Sequence, residues 1–357
     1  MAQTEFTAEQ KEQFIRDGFI VIKNAIPADI SLRAREVITA GVPENERRLL
    51  APAELAGHEA VLSLFSDTCL ADLMRNEMGP YPPVISSQVA VTPGFDDLGG
   101  TPGTHVDGSW SGVIPQLEDD IDKETGRPID AARYFGENDD RRGTNDGQLW
   151  LDPDRGISIG SYTALVGVCL NDQLEPGNGQ LGVLKGMHED VELAFRQQRD
   201  KGGVIGPEGF EWPRIKIAAN GCPYMNGLPE SVRIKARQRS QEKTPAKNWP
   251  WPELTPVLLD QGDAVIAMHS CPHTATPNLG PNARMNVYFR IRRLREDSPH
   301  EGTRRLGHGV SDHPDRGYFG QFLEYPGHYN PWETSIDKLC DHWQEWDGMQ
   351  QLVNMRR

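Results

Sequence analysis

Helical patterns dominate the N-terminal part of the chain, up to about residue 80. Thr7 and Gln10 have the spacing of a capping box, and Gly18 ends this first, polar helix. The continuous apolar run Phe19–Ile22 that follows is typical of a buried strand. Two further segments carry apolar residues on one helical face and predict helices: Pro27–Gly41 and Thr68–Gly79. We therefore expect residues 1–80 to be mainly helical.

From Val84 onward the pattern changes to short apolar or alternating runs, separated by glycine, proline, asparagine and aspartate. Six of these runs predict strands: Val84–Val91, Tyr162–Leu170, Leu181–Leu184, Val257–Leu259, Ala264–Met268 and Met285–Leu294. No helical pattern separates them. The sequence therefore predicts a mainly β fold with flanking helices, whose core is an antiparallel sandwich or jelly roll.

The last of these runs alternates between apolar and polar residues with a period of two. Its apolar members are Met285, Val287, Phe289 and Ile291, and its polar members are Asn286, Tyr288, Arg290 and Arg292. Successive side chains of a strand point to opposite faces. We therefore expect the apolar face to be buried and the polar face to contact water.

Two long segments interrupt the strand pattern. Residues 111–160 are rich in aspartate, arginine and glycine, and residues 189–253 are rich in charge, glycine and proline. Segments of this kind inside a compact domain are usually functional loops or lids, so we interpret both as insertions at the mouth of a core that spans residues 84–295. We expect one domain over residues 1–357.

The C-terminal part, residues 296–357, is predicted to be a polar tail that ends in a helix. Pro331 can begin this helix. Four apolar residues form a stripe along it: Ile336, Leu339, Trp343 and Trp346. We expect the stripe to pack on the sheet.

Composition narrows the class of protein. The formal net charge of −15 repels phosphate backbones and anionic lipid, which disfavours nucleic-acid and membrane partners and favours a small-molecule substrate. Five widely spaced cysteines without a CxxC pair argue against a disulfide framework or a thiolate zinc site. The sequence also has no apolar N-terminal run and no stretch of about 18 apolar residues. We expect a cytoplasmic protein, and the sequence is compatible with a homo-oligomer.

The tripeptide His105-Val106-Asp107 is the first candidate for metal chemistry. In a strand, positions i and i+2 project to the same face, so His105 and Asp107 can both reach one metal ion. By itself the tripeptide is weak evidence, because the same sequence also suits a turn or a surface strand.

His273 and Arg284 are the second candidate pair. The Gln261-Gly262-Asp263 turn between two apolar runs is typical of a hairpin, and it places His273 at the end of a strand. The interval to Arg284 allows a loop and a returning antiparallel strand. An imidazole and a guanidinium can thus converge on one cavity.

Two histidines and one carboxylate leave three coordination positions open, which is the arrangement expected for non-haem Fe(II) oxygenases. A 2-oxo acid can chelate through two of these positions and O2 can take the third. Arg284 can bind the distal carboxylate of such a co-substrate in a bidentate pair. Two alternatives remain: a jelly-roll protein that binds metal and 2-oxoglutarate without catalysis, and a zinc hydrolase with the same three ligands.

These motifs together resemble the phytanoyl-CoA dioxygenase family of Fe(II)- and 2-oxoglutarate-dependent oxygenases. The resemblance rests on His105-x-Asp107, the Gly262-Asp263 turn, His273 with Asn278 five residues later, and Arg284. It also includes the segment from Leu170 to His188 and the opening Thr7–Ile22, but neither insertion nor the tail after about residue 300. It implies a double-stranded β-helix core, of the jelly-roll or cupin type.

The resemblance implies a function and a set of residues. The implied activity is hydroxylation of a small organic substrate with 2-oxoglutarate and O2 as co-substrates and succinate and CO2 as co-products. His105, Asp107 and His273 are the implied Fe(II) ligands, and Arg284 is the implied anchor of 2-oxoglutarate. The family often has a serine where this chain has Ala275, so Thr274, Thr276 or another group is expected to replace its hydroxyl.

Other residues are candidates by their position. Gln88 and Tyr162 lie on predicted strands that flank the metal and could hydrogen-bond 2-oxoglutarate, although such residues are often ordinary polar groups of a sheet. Trp110 follows the His-x-Asp strand and is expected to line the substrate pocket or simply to pack. His269 is a rival of His273 as a ligand, and His188 is expected to be structural.

Overall fold

The structure is a computed structural model. It describes the residues 3–43, 46–47, 53–81, 83–98, 103–106, 163–200, 215–217, 223–225, 228, 230–240, 249–291, 293, 346 and 349. Several predictions from the sequence fall outside this part of the chain: those for Asp107, Trp110, Tyr162, the insertion 111–160 and most of the tail 296–357.

Five helices and one strand form the described N-terminal part, where the sequence predicts three of these helices and the strand. The helices are α1 (Ala8–Asp17), α2 (Ala28–Gly41), α3 (Ala53–Ala56), α4 (Glu59–Ser66) and α5 (Cys69–Glu77), and β1 (Phe19–Ile22) follows α1. The predicted capping box is present, since the side chains of Thr7 and Gln10 each accept a hydrogen bond from the backbone N–H of the other. Gly18 ends α1 with a φ of +83°, a left-handed conformation that favours glycine.

The strands form two main antiparallel sheets and one short hairpin. They are β2 (Gln88–Thr92), β3 (Ala164–Cys169), β4 (Leu181–Val183), β5 (Ile215–Ile217), β6 (Pro223–Met225), β7 (Thr255–Pro256), β8 (Ala264–Met268), β9 (His273–Ala275) and β10 (Arg284–Ile291). The five-stranded sheet has the order β1-β8-β3-β10-β2, and the three-stranded sheet has the order β7-β4-β9. The prediction of antiparallel sheets with flanking helices is confirmed.

The apolar face of the five-stranded sheet packs against the N-terminal helices. Phe289 of β10 contacts Phe65 of α4 with 5.5 Å between ring centroids. Val287 and Val168 are paired neighbours on the same face, and both are fully buried. Burial of this face between sheet and helices supplies much of the hydrophobic free energy of the fold.

The opposite face of β10 is buried as well, which corrects the prediction that its polar residues contact water. Asn286 is 2% exposed, and Tyr288 and Arg290 are each 7% exposed. The strand lies between β2 and β3 in the sheet. Gln173, which follows β3 in the chain, donates a hydrogen bond to Asn286 on the polar face of β10. A polar row in a central strand therefore lines the interior of the molecule here. Period-two alternation distinguishes the two faces of a strand but does not determine what covers the polar one.

The segment 189–253 is more regular than the sequence suggests. It contains most of the helix α6 (His188–Asp200), the hairpin of β5 with β6, and the helix α7 (Glu230–Ser240). The prediction that no helices separate the strands is therefore wrong for this segment. Both helices are rich in charged residues and contain few apolar ones.

Near the C-terminus, Trp346 is fully buried against the N-terminal segment. Its ring lies 4.5 Å from that of Phe14 in α1 and 6.1 Å from that of Phe6, measured between centroids. These aromatic contacts are with α1 and the residues before it, whereas the sequence predicts packing on the sheet. Of the helices in the described part of the chain, none is both long and apolar enough to cross a bilayer.

Candidate active site

His105 and His273 lie directly opposite each other although they are far apart in the chain. The N–H of His105 donates to the His273 carbonyl at 3.0 Å, and the N–H of His273 donates to the His105 carbonyl at 2.9 Å. Such a pair in an antiparallel bridge projects both side chains to the same face. The two imidazole centroids are 5.1 Å apart, so both rings border one small volume.

Each imidazole is oriented by a carbonyl two residues earlier. Nδ1 of His105 lies 2.9 Å from the Gly103 oxygen, and Nδ1 of His273 lies 2.9 Å from the Cys271 oxygen. A carbonyl only accepts, so Nδ1 carries a proton in both rings, and in the neutral imidazole the lone pair is then on Nε2. Fixing the tautomer through the second nitrogen is how proteins prepare a histidine to bind a metal.

The neighbours of His273 in the three-stranded sheet are apolar. Val183 pairs with His273, and Leu181 pairs with Ala275 two residues later. Both are buried, and the pairing puts them on the same face as the imidazole. His273 itself is 5% exposed. A dry apolar wall beside the histidine pair strengthens any electrostatic interaction there.

The third predicted ligand, Asp107, lies outside the described residues. His105 is in the β-bridge, so a strand continued by two residues would turn Asp107 to the same face. Within the described ranges alone, no three His, Cys, Asp or Glu side chains form a group that could hold a metal ion. The ligand assignment of His105, Asp107 and His273 thus stays a prediction.

Arg284 is a buried cation at the start of β10, 1% exposed. Its Nη2 donates to the Thr92 hydroxyl at 2.8 Å, and its Nη1 donates to the Tyr288 hydroxyl at 3.3 Å. Over the part of the chain that the structure describes, its Nε has no acceptor and its guanidinium forms no ion pair. A buried charge is costly unless an opposite charge accompanies it, so this position favours an anion.

Gly179 allows Arg284 to pack beside the segment that carries His273. A Cβ at Gly179 would lie 3.1 Å from Cβ of Asn278 and 3.3 Å from Cβ of Arg284, and the φ of Gly179 is +72°. Only glycine suits both the conformation and the close approach. Asn278 in turn donates to the carbonyls of Pro93 and Asn282 at 2.9 and 2.7 Å, which ties the end of β2 to the turn before β10.

A chain of amides fixes the group beside Arg284. Tyr288 accepts a hydrogen bond from Nδ2 of Asn286 at 2.9 Å, and Oδ1 of Asn286 accepts from Nε2 of Gln173 at 2.7 Å. Sequence reasoning missed Tyr288, Asn286, Gln173 and Thr92 as site residues. The one sign of these residues in the sequence was the polar row of β10, which was predicted to contact water.

The remaining predicted residues lie in different surroundings. Oε1 of Gln88 accepts from the buried Arg290 at 2.9 Å. The Thr274 hydroxyl donates to the Ala275 carbonyl at 3.1 Å, and strand alternation turns this side chain away from the face of His273. The Thr276 hydroxyl donates to the Gln180 carbonyl at 2.6 Å. The roles of Gln88 and Thr274 toward 2-oxoglutarate stay predictions.

His269 and His188 are both fully buried. His269 follows the last residue of β8 and lies four residues before His273. His188 begins α6, and its Nε2 lies 2.9 Å from the Ile15 carbonyl of α1. Burial lowers the pKa of His188 to about 4, which the contact with Ile15 and the charges of Asp17 and Asp190 only partly oppose.

Comparison with known proteins returns solved structures at low similarity. No protein-family model matches the chain, and no curated protein shows significant sequence similarity to it. The chain matches EctD from S. alaskensis, solved with 2-oxoglutarate and 5-hydroxyectoine, at 14% identity and a TM-score of 0.42, over 88% of each chain. It matches HygX from Streptomyces hygroscopicus, solved with nickel, 2-oxoglutarate and hygromycin B, at 14% identity and a TM-score of 0.42, over 89% of this chain and 98% of HygX.

A third match is SnoK, a non-heme alpha-ketoglutarate-dependent carbocyclase from nogalamycin biosynthesis. It has 14% identity and a TM-score of 0.39, over 89% of this chain and 96% of SnoK. TM-scores near 0.4 do not establish a shared fold. The function of this chain must therefore be argued from its own residues, and the resemblance to the phytanoyl-CoA dioxygenase family stays a prediction from motifs.

Proposed function

We propose that this chain is an Fe(II)- and 2-oxoglutarate-dependent oxygenase that hydroxylates a small organic substrate, and that its two sheets form a double-stranded β-helix. The observation that carries the proposal is the cross-strand pair of His105 and His273, with both Nδ1 atoms turned to carbonyls. Two imidazoles that present Nε2 lone pairs to one volume suit a divalent transition metal.

Asp107 would complete the ligand set as the carboxylate. It stands two residues after His105, the separation at which strand side chains share a face. The two imidazoles and this carboxylate would hold the metal, a ligand set that suits non-haem Fe(II) and would leave room for 2-oxoglutarate and O2. When bound, Fe(II) and 2-oxoglutarate supply the oxidising power for the insertion of oxygen into a C–H bond, with succinate and CO2 as co-products.

The chain's own residues then bind, orient and exclude water. Arg284 offers a buried guanidinium to the distal carboxylate of 2-oxoglutarate, and the described residues provide no competing carboxylate. Val183 and Leu181 keep the face of His273 apolar. The described part of segment 189–253 and the insertion 111–160 are the elements that we expect to select the substrate.

The test measures metal binding and succinate formation in matched histidine variants. We expect His273→Gln to abolish Fe(II)-dependent succinate formation and to weaken binding of Ni(II) measured by calorimetry, because it removes one imidazole ligand. Asp107→Ala should abolish succinate formation as well. His269→Gln is the control, since it changes a buried histidine four residues before His273 without touching the proposed ligand set.

Two results would count against the proposal. If His269→Gln loses metal while His273→Gln retains it, the ligand assignment is wrong. If the wild-type protein binds Ni(II) and 2-oxoglutarate but releases no succinate from 2-oxoglutarate with Fe(II) and O2 under any substrate tried, the chain is a binding protein without oxygenase activity.

A further inference from the structure

The Tyr288 hydroxyl lies beside the guanidinium of Arg284, and its hydrogen-bond partners determine where it can donate its own proton. A phenol oxygen can accept two hydrogen bonds and donate one. At Tyr288 both acceptor positions are used, by Nη1 of Arg284 at 3.3 Å and by Nδ2 of Asn286 at 2.9 Å. Arginine is a donor only, so that contact has one direction.

The direction of the Asn286 contact follows from a chain of amides that begins at the backbone. The N–H of Met285 donates to Oδ1 of Asn171 at 2.7 Å, which identifies that atom as the oxygen of the amide. Nε2 of Gln173 lies 3.4 Å from the same Oδ1, so the atom of Gln173 on this side is its nitrogen. That nitrogen donates to Oδ1 of Asn286 at 2.7 Å, which leaves Nδ2 of Asn286 to face Tyr288.

The hydroxyl proton of Tyr288 therefore cannot be donated to Asn286 or to Arg284. Nor does any other group in the described ranges accept it. Tyr288 is buried, as is Arg284, whose Nε also lacks an acceptor among the residues described. Buried donors without acceptors cost free energy, so these two donors favour a ligand that accepts hydrogen bonds.

The spacing of the two donors matches a carboxylate. The Tyr288 oxygen and Nη1 of Arg284 are 3.3 Å apart, so one carboxylate can accept from the phenol with one oxygen and from the guanidinium with the other. We infer that Tyr288 donates its hydroxyl hydrogen bond to the same carboxylate that Arg284 binds, as a second recognition residue for a dicarboxylate co-substrate. This inference rests on the proposed function, because it takes that carboxylate to be the distal one of 2-oxoglutarate.

The test uses a pair of ligands that differ by this carboxylate. Dissociation constants are measured anaerobically with Fe(II) for 2-oxoglutarate and for 2-oxobutyrate, a 2-oxo acid without a distal carboxylate. We expect Tyr288→Phe to weaken 2-oxoglutarate binding by about tenfold or more, as for loss of one hydrogen bond to a charged group, and to leave 2-oxobutyrate binding unchanged. Tyr81→Phe is the matched control, since its hydroxyl donates to the Ala71 carbonyl in the helical part of the molecule.

A merely structural role predicts a different pattern. If Tyr288→Phe weakens both ligands equally, or neither, Tyr288 does not contact the distal carboxylate and the inference is wrong. Because Tyr288→Phe leaves Asn286 without its acceptor, the double variant Tyr288→Phe/Asn286→Leu provides a second measurement with the same expected selectivity. If the wild-type protein does not bind 2-oxoglutarate at all, the proposed function fails and this inference fails with it; if it binds and only the selectivity is absent, the proposed function survives.

Discussion

Burial of Arg284 lowers the stability of the ligand-free protein but suits the residue to bind an anion. Its guanidinium is buried and meets only hydroxyl groups, those of Thr92 and Tyr288, among the residues that the structure describes. Hydroxyls satisfy hydrogen bonds but do not neutralise a charge, so the ligand-free site remains electrostatically unfavourable. A bound carboxylate would remove this penalty, which is the physical basis of the role proposed for Arg284.

His188 makes a specific prediction for the dependence of stability on pH. Its pKa is lowered to about 4 in the folded protein, mainly by burial, against an ordinary value near 6.5. Between these values the unfolded chain binds a proton that the folded chain does not, so the free energy of unfolding falls as the pH falls. Through this residue the protein should lose about 2 kcal/mol of stability between pH 7 and pH 5.

Urea unfolding of the wild type and of His188→Gln at pH 7 and pH 5 measures this contribution. The difference between the two proteins isolates His188 from neighbours such as Asp17, which titrates in the same direction at lower pH. Burial alone would raise the pKa of Asp17, but hydrogen bonds and charges from Arg16 and Lys185 outweigh it and hold the pKa below its ordinary value. Equal losses in both proteins would show that His188 is not the titrating group.

At the scale of elements, the junction between α1 and β1 depends on one glycine for two reasons. Gly18 has a φ of +83°, and a Cβ at this position would lie 2.7 Å from Nδ1 of His188. The first fact makes a side chain strained and the second makes it clash with a fully buried ring. The end of α1, the start of β1 and the first residue of α6 thus lie close together at Gly18.

Gly18→Ala should therefore destabilise the protein by about 2 kcal/mol or more, through left-handed strain and overpacking together. Chemical denaturation measures the change. Gly103→Ala is the control, since its Cβ would meet nothing within 4 Å among the described residues and its backbone is not left-handed, so its effect should be much smaller. Similar losses in the two variants would mean that the contact with His188 is not the cause.

At the scale of the whole molecule, the two ends of the described chain share one aromatic cluster. Trp346 packs against Phe14 of α1 and against Phe6, and all three are buried. Aromatic side chains contribute large buried areas, and their tilted contacts add to this. The C-terminal part of the chain is therefore integral to the core at this position.

Trp346→Ala should cost about 3–5 kcal/mol of unfolding free energy, as for large buried aromatic side chains elsewhere. Leu32→Ala in α2 is a suitable control, because Leu32 is 54% exposed and should change stability little. The comparison is made by thermal or urea unfolding. A loss at Trp346 no larger than that at Leu32 would contradict the packing of this end on α1.

Secondary structure could be predicted from the sequence where residues close together in the chain determine it. The capping box of Thr7, the left-handed Gly18 and the apolar run Phe19–Ile22 each encode their structure within a few residues, and all are present in the fold. Strand β8 has the predicted bounds for the same reason. The helices α6 and α7 were not predicted, because charged residues, glycine and proline dominate the segment 189–253 and leave few apolar positions to reveal a helical period.

The sequence alone identified His105, His273 and Arg284 as candidate site residues and showed the alternation of β10. The adjacency of His105 to His273 and the burial of Tyr288 were decided only by tertiary structure. The physical reason is that the alternation of side chains along a strand determines which residues share a face. Which strands pair with it, and which elements pack on the sheet, determine the groups that this face contacts. Long-range pairing carries no local signal, so it becomes visible only in the folded molecule.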